Sequence, residues 1–155
     1  LVAAINIIGN LGSGQLMQRG MAPTSLLRLG FVFAALGTFP AFGEVTAEAP
    51  GLRIAAVLMF SAVSGVIPGA LFTLAVRLAP SEHTVSTTIG WMQQWSAFGQ
   101  FAGPPLVAWL ASQAGGWQWT WTLTGTASLV GILLAFRLSR LLSLPPLAAA
   151  GAVVR

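Results

Sequence analysis

An all-α integral membrane protein, a bundle of five transmembrane helices, is predicted for this chain by three observations. Of its 155 residues, 55% are hydrophobic and 6% are charged, whereas roughly a quarter of a soluble domain is Asp, Glu, Lys and Arg. The apolar residues gather into stretches of span length, separated by polar, Gly or Pro punctuation. The arginines alternate from loop to loop. Seven Arg and three Glu give a formal net charge of +4, and so few ionised groups do not keep a folded surface of this size in water. An ordinary water-soluble globule is excluded, and a lipid-embedded protein remains.

The first span runs from Leu1 to Met17. It opens inside an apolar stretch, without Met and without the basic leader of a signal peptide, which reads as a fragment of a larger protein. The second span covers Leu26 to Phe42, and the third, Arg53 to Leu78, is long enough to tilt or kink. The fourth runs from Thr84 to Ser112 and the fifth from Trp117 to Leu138. Residues 1–141 form the transmembrane region, and residues 142–155, with Pro145, Pro146 and an Ala-rich end, read as an irregular or surface-lying cytoplasmic tail. Each span is expected to be helical, because only a helix satisfies the backbone of a single segment internally in lipid.

The loop charges set an orientation. Arg19 and Arg28 flank the first loop, Arg77 lies in the third, and Arg137, Arg140 and Arg155 follow the last span. The second loop has Arg53 beside Glu44 and Glu48, and the fourth, Gln113 to Gly116, has no charge. Positive-inside counting therefore puts the first and third loops and the carboxyl end in the cytoplasm. Trp109, Trp117, Trp119 and Trp121 gather at the opposite boundary, where indoles anchor at headgroup level.

Several functions are excluded or disfavoured. The chain has no Cys, and so no disulfide, thiol nucleophile or thiolate metal site. His83 beside Glu82 reads as a solvated loop pair with no further ligand, so no metal site and no cofactor are expected. The arginines are scattered singly and offer no stripe to follow a phosphate backbone, which argues against nucleic acid. Ser64-Gly65 resembles a nucleophile context, but a Ser hydroxyl needs an adjacent base and the spans hold no His or Lys. The expectation is not an enzyme, with Ser61 and Ser64 at close helix contacts. By this segmentation every ionisable residue lies in a loop, the tail or the last turn of a span, so no intramembrane charge marks an ion path.

Uncharged polar stripes remain as candidates. Asn6, Asn10 and Ser13 share one face of the first helix, and Gln93, Ser96 and Gln100 share one face of the fourth. An unsatisfied amide in hydrocarbon costs a few kcal/mol, so these faces meet other helices or a wet cavity. Inter-helix hydrogen bonding and substrate contact both satisfy them. Trp91, Trp95 and Phe98 share a further face of the fourth helix and serve either packing or a mostly apolar binding cavity. The candidate substrate-binding residues are therefore Asn6, Asn10, Trp91, Gln93, Trp95 and Gln100. Gly99 and Gly103 form a strip for close packing, Pro104 and Pro105 predict a bend in the fourth helix, and Pro68 predicts one in the third.

Gly14-Gln-Leu16-Met-Gln18-Arg19-Gly20 is similar to the cytoplasmic-loop motif GxLxDRxG, with Gln18 in place of the acid and the last Gly one position early. Gly99-x-x-x-Gly103-Pro104 is similar to the Gly-Pro signature of the fifth helix and of its pseudo-symmetric partner, the eleventh. With the span number and short loops, the chain from Leu1 to about Arg140 resembles the carboxy-terminal half of a major facilitator superfamily (MFS) transporter, the last five of twelve helices. The resemblance implies a secondary transporter working by alternating access, in a bacterial inner membrane, with a small-molecule substrate. Its other partners would be membrane lipid and the missing amino-terminal half. An uncharged wall of amides and indoles suits a neutral, aromatic or weakly polar solute. A non-transporting membrane subunit or assembly factor, with polar stripes that bind partner helices, is the reading from another class.

Overall fold

The computed structural model describes residues 1–143, in which helices and short turns account for the chain and no strand occurs. Five helices follow in order: α1 (Val2–Gln18), α2 (Pro23–Phe42), α3 (Pro50–Leu78), α4 (Val85–Ala114) and α5 (Thr120–Ser143). Single 3-10 turns at Glu44–Thr46, Glu82–Thr84 and Trp117–Trp119 enter α3, α4 and α5. The all-α class is the one that composition predicts. Three stretches are long and apolar enough to cross a membrane: α2, α3, and Trp117–Ser143, which contains α5. At 17 residues α1 is shorter. Helix α4 has 30 residues, but Gln93, Gln94, Gln100 and three serines dilute its apolar character.

Proline decides where two helices begin. Pro23 and Pro50 open α2 and α3, where a ring with fixed φ and no N–H costs nothing because the first-turn donors have no intrahelical acceptor. Both helices start three residues before the apolar run that hydropathy picks out. Arg28 and Arg53 consequently lie within helices, in the second and first turns, which corrects the expectation that ionisable residues sit only in loops, the tail or last turns. Helix α5 also extends to Ser143 and takes Arg137 and Arg140 into its final turns. The expectations for Pro145, Pro146 and Arg155 lie outside the described residues.

The first turn is cut short by Gly20. Its φ of 95° is open to glycine and costly for other residues, and it lets the Met21 N–H reach back to the Leu16 carbonyl at 3.1 Å. This is the 6→1 bond that closes a helix end and satisfies one of its orphan carbonyls.

Helices α1, α3, α2 and α5 form a row in that order, with α3 against both α1 and α2, and α5 on the far side of α2. Short loops favour antiparallel sequence neighbours, yet α1 packs mainly on α3, running parallel to it. The reason is the shape of α3. Ser61, Gly65 and Gly69 recur every four residues and make a flat strip. A Cβ at Gly65 would fall on the Asn6 carbonyl oxygen, one at Gly9 on the Ala62 carbonyl oxygen, and one at Gly69 on the Ser13 hydroxyl. Two backbones in near contact gain dispersion energy along their length, which is the usual source of helix association in lipid. A second, apolar cluster of Leu26, Leu27, Ala70, Leu74 and Ala135 ties α2, α3 and α5 together near the end where α2 begins.

Helix α4 stands apart. None of its residues is buried, and it meets α3 and α5 only along limited stretches. Pro104 and Pro105 lie within its continuous helical run, as Pro68 does within α3. A Cβ added at Gly99 or Gly103 would meet nothing within 4 Å. The small-residue strip predicted for close packing on α4 is therefore free of any neighbour among the described residues.

Candidate functional site

The polar residues of the two stripes go to different places. On α1, the Asn6 side chain donates from Nδ2 to the Ser61 carbonyl at 3.1 Å, while the Ser61 hydroxyl donates to the Val2 carbonyl at 2.8 Å. Ser13 is fully buried and donates to the Asn10 carbonyl at 2.6 Å. Asn6 and Ser13 thus serve the α1/α3 crossing, whereas the Asn10 side chain is exposed. Replacing Asn6 with Ala is expected to weaken that crossing by about 1 kcal/mol, the scale of an inter-helix hydrogen bond in lipid. Unfolding by dodecyl sulfate in mixed micelles measures this, and an unchanged midpoint would show that the bond adds no net stability.

A cleft of about 220 Å³ opens between α3 and α4. Helix α3 contributes Ser64, Ile67, Pro68, Leu71 and Phe72, and α4 contributes Met92, Gln93 and Ser96. Its wall is mainly apolar with three polar side chains, the mix typical of a small-molecule pocket. Pro68 adds a further acceptor. Its ring nitrogen has no hydrogen to give to the Ser64 carbonyl four residues back, so that carbonyl is left for another donor beside the Ser64 hydroxyl. Pro104 does the same for the Gln100 carbonyl, about one turn beyond Ser96. The Gln100 side chain donates from Nε2 to Ser96 Oγ at 3.3 Å and so continues the polar line away from Gln93.

Of the six candidates, Gln93 alone lines this cleft. Trp91 and Trp95 are 61% and 69% exposed, and Trp95 makes an edge-to-face contact with Phe98 at 6.4 Å. Gln100 is exposed beside Ser96, and Asn6 and Asn10 lie at the α1/α3 crossing. Residue periodicity passes over Ser64, Phe72 and Met92 as lining residues. The Ser64–Pro68 pair at i and i+4 is the available signal, since a proline inside an apolar helix frees the carbonyl one turn earlier.

The turn between α2 and α3 is closed by Arg53. Its Nη2 donates to the Gly43 carbonyl at 2.6 Å and its Nε to Thr46 Oγ1 at 3.2 Å, and Thr46 in turn donates to the Pro40 carbonyl at 2.7 Å. The Pro40 carbonyl in the last turn of α2, which has no intrahelical partner, and that of the C-cap Gly43 are satisfied in this way, and the cation sits at the negative end of that helix. Phe39 meets Trp121 edge to face at 5.2 Å, and Trp119 stacks near Trp121 at 6.2 Å. Trp109 and Trp117 are largely exposed. Among the described residues no three His, Asp or Glu side chains converge as a metal site would require. Compared with protein families, with curated proteins and with solved structures, the chain matches none.

Proposed function

We propose that the chain is one wall of a secondary transporter of the MFS kind, made of its last five helices, which moves a neutral or weakly polar small molecule by alternating access. The observation that carries this reading is the α3/α4 cleft beside an α4 with no buried residue. A helix bearing Gln93, Gln94, Ser96 and Gln100 is costly to leave in lipid, and a pocket of about 220 Å³ is smaller than the roughly 300 Å³ at which ligand sites begin. Both features fit a surface completed by further helices, with substrate held between. In this reading all five helices cross the bilayer, the end bearing Arg19, Arg28, Arg77, Arg137 and Arg140 is cytoplasmic, and the membrane is a bacterial inner membrane. The commitment of Arg53 to the Gly43 carbonyl and the Thr46 hydroxyl supports that orientation, because the single arginine at the other end has a structural task. Pro68 in the cleft wall and Pro104 about two turns beyond Ser96 on α4 supply the weak points that a rocking mechanism uses.

The test is uptake by the full-length protein in liposomes, screened over neutral and aromatic solutes with and without an imposed proton gradient. Replacing Gln93 and Gln100 together with Leu should reduce binding of the identified solute about tenfold, the scale of one or two lost hydrogen bonds, with insertion unchanged. Unaltered uptake kinetics would remove this face from the site. Reporter tags at Gly43 and Gln113 on the same side as the carboxyl end would overturn the five-span topology. One observation favours the second reading, a non-transporting subunit: the Asn6 amide is already spent on helix packing, as the polar groups of an assembly partner would be. Such a protein would co-purify with partner helices and support no uptake.

A further inference from the structure

A groove of about 510 Å³ runs along the outer face of α5, lined by Val130, Leu133, Leu134, Phe136, Arg137 and Arg140. Helix periodicity sets it opposite the face that packs on α2, where Ser128, Gly131 and Ala135 are buried. Leu133 and Leu134 are 65% and 61% exposed, so the groove is open along its apolar length. From Val130 to Arg140 the helix rises about 15 Å, half of the roughly 30 Å hydrocarbon layer and thus the depth of one leaflet. Both arginines stand at one end. A third cation is held at the same end, since Arg28 lies 5.4 Å from the centre of the Phe136 ring and donates from Nη2 to Ser25 Oγ at 3.1 Å.

We propose that this groove binds an anionic phospholipid, with an acyl chain along Val130, Leu133 and Leu134 and the phosphate held by Arg137 and Arg140. The inference rests on the bilayer location proposed above. Charge complementarity selects the occupant: an apolar channel one leaflet deep, ending in two guanidinium groups, matches a single amphiphile with a negative head, and a guanidinium presents paired donors to phosphate oxygens. A zwitterionic lipid carries its own cation and gains less. Seating Arg28 over Phe136 adds positive potential at headgroup depth without occupying the groove.

The chain is reconstituted in bilayers of equal parts phosphatidylglycerol and phosphatidylcholine, extracted gently, and its retained lipid is measured by native mass spectrometry. Phosphatidylglycerol should be enriched over phosphatidylcholine. Enrichment should fall about fivefold for each arginine removed in R137Q and R140Q, alone and combined, and should persist in the R19Q/R77Q pair, which makes the same charge change at other positions. Leu133→Trp, which fills the groove and keeps both arginines, should also reduce it. Equal retention of the two lipids by the parent chain, equal loss in the R19Q/R77Q pair, or displacement by inorganic phosphate would overturn the proposal. Alkaline carbonate extraction separates the two levels: release of the chain from membranes defeats the bilayer reading, whereas an integral chain without lipid preference defeats the lipid site alone.

Discussion

Gly65→Val is expected to separate α1 from α3 and to destabilise the chain by about 3 kcal/mol, the upper part of the usual range for overpacking. Helix propensity alone predicts the opposite sign, since even a β-branched residue is slightly better than glycine inside a helix. The clash decides the outcome. The new Cβ would clash with the Asn6 carbonyl oxygen, far inside contact distance, and a backbone atom cannot rotate aside as a side chain does. Relief requires the two helices to move apart, which removes the Asn6 bond to Ser61 and the Ser61 bond to Val2 as well as the dispersion contacts of the strip. Gly12→Ala is the matched control, because a Cβ there meets nothing within 4 Å and should leave stability unchanged or slightly raised. Unfolding in mixed micelles, followed by far-ultraviolet circular dichroism, measures both. Equal midpoints for the two variants would show that α1 does not pack on α3 through this strip.

Arg53→Ala should cost about 2 kcal/mol and open the turn between α2 and α3. Hydrogen bonds from a charged donor contribute roughly 1.5–3 kcal/mol each when sheltered, and half-burial of Arg53 discounts two of them to that total. The loss spreads along a chain of bonds, because Thr46 accepts from Arg53 and donates to Pro40. Arg53→Lys should recover only part of the effect, since an ammonium group reaches as a point charge and does not reproduce the fork that spans Gly43 and Thr46. Hydrogen exchange at the Gly43–Ala49 amides reads the turn directly. Protection equal to that of the parent chain in Arg53→Ala would mean that the turn is held without the guanidinium.

Hydropathy locates the helices well at their centres and less well at their starts. Averaging over apolar residues begins α2 at Leu26 and α3 at Arg53, whereas the structure begins them at Pro23 and Pro50. The missing physics is local: a proline excluded from a helix interior is well placed in its first turn. The small-residue strips show a different limit. Gly99 and Gly103 have the same spacing as Gly65 and Gly69, and sequence alone offers no reason to prefer either. Only the second pair faces another helix within the described chain. Spacing states that a helix can be approached closely, and the partner determines whether it is. The amides behave likewise. Asn6 and Gln93 are equivalent as buried-polar arguments, yet one is satisfied by a neighbouring carbonyl and the other lines a cleft.

Composition by itself determined the all-α class and the membrane-compatible character of α2, α3 and α5, because transfer from water and backbone satisfaction in lipid depend on residue type and segment length alone. The placing of the arginines likewise determined which end of the helices is positive. Tertiary structure decided that α1 lies on α3, that Asn6 is spent on that crossing, and that Gln93 faces a cleft while Trp91, Trp95 and Gln100 face outward. The physical reason is that polar satisfaction and close packing are properties of pairs of surfaces, and the partner of each surface here lies on another helix, 55 residues away in the chain for Asn6 and Ser61.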